Sequence, residues 1–314
     1  MSFRPAGCFV SCRPAALATA VLVAASACAG TPPAPIPAAF TAWDVVGDGR
    51  FTSGIEGPAV GPDGALYAVN FEREGTIGRV EIGPDGRGTP ALFVELPAGS
   101  TGNGIRFDDH GFMFVADYAG HHLLRVDPAT RDVIPFAAMP GAHQPNDLAR
   151  APNGIFYASD PDWSTDSGQL WRVMPDGSEQ LLESGMGTTN GIEVSPDGRR
   201  LYVNESVQRR VWVYDIDTNG DVGNKRELVR FDDHGLDGMR CDVDGNLYIA
   251  RYGAGVVAIV SPSGEVLHEV ALKGEKPTNV AFGGEDGRTV FVTLQDRGAI
   301  EAFRAEIPGR EAGG

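Results

Sequence analysis

Six polar residues recur in this chain, each with a glycine eight positions downstream. Glu56 precedes Gly64 in EGPAVGPDG, Asn103 precedes Gly111 in NGIRFDDHG, and Asn146 precedes Gly154 in NDLARAPNG. Asn190 precedes Gly198 in NGIEVSPDG, Asp237 precedes Gly245 in DGMRCDVDG, and Asn279 precedes Gly287 in NVAFGGEDG. Brought to one place, these side chains offer two carboxylates and four carboxamides, with no His, Cys, Lys or Arg. That is a hard-oxygen donor set. Soft or borderline metals call for imidazole or thiolate. Calcium takes oxygens in adaptable geometry, and two carboxylates balance its charge. Magnesium, with its stricter octahedral demand, or another divalent cation is the alternative. Asn and Asp also start strands and cap turns. Glu is a poor turn residue, so the presence of Glu56 favours a metal at Glu56, Asn190 and Asp237. Asn279 is followed by Val280 rather than by Gly or Asp and is read as structural. No Gly-Xaa-Ser-Xaa-Gly elbow and no Cys-His nucleophile pattern stands beside this set.

The elements that would position these residues repeat with them. The steps between lead residues are 47, 43, 44, 47 and 42. After each Gly comes an aromatic, β-branched run (ALYAVN, FMFVAD, IFYASD, LYVNE, LYIA, VFVT). A second run follows it (IGRVEI, LLRVD, QLWRV, VWVYDI, VVAIV, AIEAF). Such runs, bounded by Gly, Asp, Asn and Pro, are strands. Repeats of this length with about four short strands predict an all-β, six-bladed β-propeller. The last unit holds three strands, and Phe40 to Phe51 has no blade of its own. This N-terminal segment is expected to supply the outer strand of the last blade, which closes the ring and hides its edges. In such a ring the six lead residues converge on the axis. The propeller is expected over residues 41–307, with a flexible tail over 308–314.

The remaining sequence bounds the setting. The chain has 314 residues and a net charge of -16, which argues against a nucleic-acid partner, since phosphate binding needs a basic face. Residues 1–27 read as a signal peptide: Arg4 and Arg13, an apolar run from Ala15 to Ala25, then small residues. ASAC, ending at Cys28, resembles a bacterial lipobox with Ala25 where Leu is usual. The expectation is export, to the periplasm or as a membrane-anchored lipoprotein with Cys28 lipidated. Residues 28–40 form a Pro-rich tether. Cys241 is the one cysteine of the body and falls in a strand-like run, as a buried inert thiol does. Asp160, Asp162 and Trp163 in SDPDWSTDSG form the longest insertion between strands, a rim loop over the channel mouth or a solvated acidic loop.

From roughly Trp43 to Phe303 the chain resembles the regucalcin, gluconolactonase and luciferin-regenerating-enzyme-like family of six-bladed propellers. The resemblance rests on EGPAV with Glu56, QPNDLA with Asn146, TNGIEVSPDGRRLYVNES with Asn190, LDGMRCDVDGNLYIA with Asp237, and PTNVAFGG near Asn279. It implies a divalent ion, usually calcium, held by Glu56, Asn190 and Asp237, with Asn146 contacting the metal or the substrate. It also implies hydrolysis of a lactone or related ester, a small-molecule substrate, with Asp237 as general base or nucleophile. Many lactonases of the family carry RPND before the third-blade Asn, where this chain has Gln144, Pro145, Asn146 and Asp147. Gln144 can hydrogen-bond but brings no charge, which departs from a sugar-acid lactone site. Gln144, its neighbour His143 and the lead residues Asn103 and Asn146 are the expected substrate contacts. The competing reading is a non-catalytic propeller that binds a ligand of the cell envelope.

Overall fold

Glycine at the +8 position has a backbone reason. Gly64, Gly111, Gly154, Gly198, Gly245 and Gly287 all lie at positive φ, between 67° and 84°. That region is open to glycine at no steric cost. Each ends a turn that returns the chain from one strand to the next, as where Gly64 N–H donates to the Gly61 carbonyl at 2.9 Å. The six repeats are therefore six copies of one hairpin.

The structure is a computed structural model that describes residues 37–313, with residues 1–4 and residue 7. Most of the predicted signal peptide, Cys28 and most of the Pro-rich segment lie outside the described residues. The chain divides into Met1–Pro33 and Ala34–Gly314, and the second unit carries every strand described. Six four-stranded antiparallel sheets follow one another. Strand β1 (Trp43–Val46) comes first. Blade 1 then runs outward through β2 (Phe51–Val60), β3 (Leu66–Phe71), β4 (Thr76–Ile82) and β5 (Gly88–Glu95). Blade 2 holds β6 (Gly102–Phe107), β7 (Met113–Asp117), β8 (His122–Val126) and β9 (Val133–Ala138). Blade 3 holds β10 (Leu148–Arg150), β11 (Phe156–Asp162), β12 (Ser167–Val173) and β13 (Glu179–Met186). Blade 4 holds β14 (Thr189–Val194), β15 (Arg200–Glu205), β16 (Arg210–Ile216) and β17 (Val222–Arg230). Blade 5 holds β18 (Met239–Cys241), β19 (Leu247–Arg251), β20 (Val256–Val260) and β21 (Val266–Ala271). Blade 6 holds β22 (Pro277–Gly283), β23 (Thr289–Leu294) and β24 (Ala299–Arg304), and β1 is its outer strand.

This is the six-bladed propeller that the repeat predicts, including its closure. Trp43 pairs with Ala302 and Val46 with Ile300. The Trp43 indole N–H donates to the Gly86 carbonyl at 3.1 Å, and Arg297 donates to Asp44 at 2.8 Å. Val45 and Val46 are buried between blades 6 and 1 with Phe51, Ile55, Phe291 and Ile300. Five further apolar clusters occupy the other five blade interfaces. The core is thus six slabs, each filled by facing sides of two sheets. Outer strands such as β5 and β21 are largely exposed, whereas β3, β7 and β15 are buried almost throughout.

The C-terminal segment differs from the flexible tail expected over 308–314. Pro308 accepts from Val243 N–H at 3.0 Å and Gly309 bridges to Asp242. Arg310 donates to the carbonyls of Val194 at 3.0 Å and Arg150 at 3.1 Å. The segment thus touches blades 3, 4 and 5, with Arg310 at the start of a short 3-10 turn, Arg310–Gly313.

Candidate active site

Inner strands aim the lead residues. In blades 1, 2 and 4 the pairing register of the inner strand breaks between Glu56 and Ala59, between Gly102 and Ile105, and between Thr189 and Ile192. A break of this kind turns a side chain out of the ordinary alternation. Four lead residues are followed by glycine, and these glycines are needed for close approach. A Cβ on Gly57 would strike the Asn103 carbonyl, and one on Gly104 would come within 3.0 Å of the Asn146 carbonyl. A Cβ on Gly191 would strike the Asp237 carbonyl, and one on Gly238 the Asn279 amide. In blades 1, 2, 4 and 5 this glycine therefore seats the next blade's lead residue.

Glu56, Asn103, Asn146, Asn190 and Asp237 line one cavity of about 440 Å³. Asn279 lies beneath it, fully buried, and its Nδ2 donates to Glu56 Oε2 at 2.9 Å. Burial, then the charge of Asp147, pushes the Glu56 carboxyl up to about 7, against hydrogen bonds from Gly57 N–H and Asn279. Burial, then the charge of Glu56, pushes the Asp237 carboxyl well above the usual carboxylate range, against a hydrogen bond from Asn190. Two facing carboxyls held this way are a site that a cation relieves. Asn146 Oδ1 and Asn190 Oδ1 are buried with no hydrogen-bond partner among the described residues. Unpaired buried acceptors are costly, and both belong to the ligand set expected from the sequence. The donor set fits a hard divalent cation. Among the described residues no three His, Cys, Asp or Glu side chains meet at metal-binding distance, because this ring has two acids and otherwise amides.

Gln144 and His143 are not among the residues that line the cavity. Their backbone N–H groups donate to Asp160 Oδ1 at 2.6 and 2.9 Å, and the His143 ring meets Gln169 at 3.2 Å. Asp160 is no rim residue: it is fully buried in β11 and also accepts from the Trp171 indole at 2.9 Å. Asp162 closes its own turn through Ser164 and Thr165. Trp163 is the residue of that hairpin that reaches the cavity.

The cavity is also lined by Ser206, Tyr118, Tyr252, Gln295, Asn70 and Glu74. Beneath the floor lies a buried ion cluster that the sequence reading misses. Asp147 accepts from Arg106 at 3.3 Å, Arg240 at 3.2 Å and Asn279 at 3.3 Å. Glu193 forms an ion pair with Arg310 at 3.1 Å. Arg106, Glu193 and Arg240 each stand three residues after a lead residue, so the same alignment read at +3 exposes them. Cys241 is buried, its thiol pushed up by burial, and it donates to the Val194 carbonyl at 3.4 Å.

Residues 55–296 match the family described as the SMP-30/Gluconolactonase/LRE-like region. The chain belongs to that family. It is 30% identical over 239 residues to a gluconolactonase of Zymomonas mobilis, a match covering 67% of this chain and 65% of the relative. It is 32% identical over 151 residues to a pentonolactonase of Haloferax volcanii, covering 47% of this chain and 52% of the relative. The matches thus span about two thirds and about half of these relatives' own lengths. A calcium-binding protein, regucalcin, from Agrobacterium tumefaciens shares the fold at a TM-score of 0.73 and 21% identity, over 85% of this chain and 95% of its own.

Proposed function

We propose that this protein hydrolyses lactones or related cyclic esters, using a divalent cation of the calcium type. The observation that carries this reading is the meeting of two buried carboxyls, Glu56 and Asp237, with two amide oxygens, those of Asn146 and Asn190, that lack a hydrogen-bond partner among the described residues, in one cavity. Glu56, Asn190 and Asp237 would hold the cation, with Asn146 Oδ1 as a further ligand. Bound there, the cation supplies Lewis-acid polarisation of the lactone carbonyl.

The chain's own groups do the rest. Asp237 takes the proton of the attacking water and passes it to the leaving alkoxide, or attacks the carbonyl itself. Asn190 orients the Asp237 carboxylate through its amide N–H. Asn204 fixes the Asp237 backbone from below, its Nδ2 donating to the Asp237 carbonyl at 2.6 Å. Asn103 and Asn146 face the same space from blades 2 and 3 and are placed to hydrogen-bond the substrate.

The test combines cation binding and turnover. Calorimetric titration with calcium, and hydrolysis of a lactone panel with and without chelator, are measured for wild type, Glu56→Ala and Asp237→Ala. Both substitutions should weaken cation binding, and Asp237→Ala should lower kcat by about a hundredfold or more. Cation binding without turnover of any lactone would favour the binding-module reading. Absence of cation binding would remove the site assignment. Oxygen-18 carried from water into Asp237 during single turnovers would identify it as the nucleophile.

A further inference from the structure

One wall of the cavity has no part in this chemistry. On blade 1, Glu74 lies in the turn between β3 and β4 and lines the cavity. Its carboxylate rests over Gly54, where an added Cβ would stand 2.9 Å from both oxygens. Thr52 Oγ1 donates to Glu74 Oε1 at 2.6 Å. Asn70, at positive φ, braces the same spot by donating to the Gly54 carbonyl at 2.6 Å and accepting from Gly75 N–H at 3.2 Å. Glu74 is thus seated, not trailing. The adjacent cation, Arg73, is paired with Glu95 instead.

The charge of the cavity has one sign. Among the described residues, its charged lining is Glu56, Glu74 and Asp237, with no Lys, Arg or His. Two carboxylates balance a divalent cation, and Glu74 is the charge left over. Gly54 and Glu56 are two residues apart on β2, about 7 Å along the strand. A lactone whose carbonyl lies at the level of Glu56 therefore presents its far end to Glu74. The mouth is completed by Tyr118, Trp163 and Tyr252, the last donating to Gln295.

Resting on the lactonase reading, we propose that Glu74 determines specificity. It accepts hydrogen bonds from hydroxyl groups on the end of the lactone remote from the carbonyl. It repels lactones that carry a phosphate, sulfonate or carboxylate there.

The experiment compares a neutral aldonolactone with the same lactone bearing a terminal sulfonate, at low and high salt. Wild type, Glu74→Gln and Glu74→Lys are assayed, and binding of the two corresponding lactams is measured by calorimetry. Wild type should favour the neutral compound, with the gap narrowing in salt as exposed charges are screened. Glu74→Gln, which keeps the shape and one acceptor, should narrow the gap about tenfold, through KM for the anionic lactone. Glu74→Lys should narrow it further. Turnover with a gap unchanged in both variants would overturn the proposal and leave the hydrolase reading intact. Absence of turnover with lactams still sorted by charge through Glu74 would overturn the hydrolase reading alone. Absence of both turnover and lactam binding would overturn both.

Discussion

Asp147→Asn perturbs the buried ion cluster at its centre. Asp147 is 1% exposed and accepts from two guanidinium groups, the Asn279 amide and Leu148 N–H. The substitution keeps the volume and one acceptor oxygen but removes the charge that balances Arg106 and Arg240. Removing one member of a buried pair costs about 3–5 kcal/mol, because the other charge is left uncompensated. Arg106 retains Glu193 at 3.9 Å and Arg240 retains Asn279 at 3.2 Å, so Asp147→Asn belongs near the lower limit. Asp147→Leu, which loses every acceptor, belongs near the upper. Urea unfolding at pH 7 in chelator reads both as a lowered midpoint at unchanged slope. Replacing Arg240 with Met in the Asp147→Asn background should recover part of the loss, since the orphaned charge goes with it. Losses below about 1 kcal/mol for both single variants would refute the argument.

Two more outcomes follow from the site and the closure. The Glu56 carboxyl is raised in the folded protein from an ordinary value of 4.5 to about 7. Its contribution to stability is therefore full below pH 4.5 and is lost as the pH rises through about 7. In chelator, Glu56→Gln should flatten that fall, and identical pH profiles for variant and wild type would contradict the assignment. Deleting residues 1–47 strips β1 from β24 and exposes an edge strand that pairs with other chains. Size-exclusion chromatography should show oligomers or aggregate, and a stable truncated monomer would argue against closure by this strand.

Much of this was legible because the repeat is tied to backbone geometry. A turn that needs positive φ keeps its glycine, so Gly64 and its five counterparts mark the hairpins whatever the side chains around them do. The lead residues were legible for the same reason, as polar groups at a fixed offset. What was hidden depended on which face a strand residue presents across blades. Asp160 looked like a loop acid because it ends a strand run before Pro and Asp. In the fold it is the acceptor that ties the entry loop of blade 3, through His143 and Gln144, to its second strand. Asp117 does likewise for Thr101 N–H, and Glu301 for Lys273 and Gly274 N–H. Gln144 was therefore informative as a departure from a pattern, while its backbone serves the loop. Glu74 and Tyr252 had no repeat to announce them, since they sit in loops whose only common feature is where they end.

The pairing of Trp43 with Ala302 also sets an order of events. Five blades are assembled from neighbouring sequence, but the sixth waits for strands that lie at opposite ends of the domain. Contacts of such long sequence separation form slowly. Once formed, they leave the ring without a free end from which blades can peel away one by one. Closure of this latch is expected to be a slow, late step of folding. A protease or a pulling force applied at the N-terminal strand should find the ring's weakest point there, well away from the cavity it encloses.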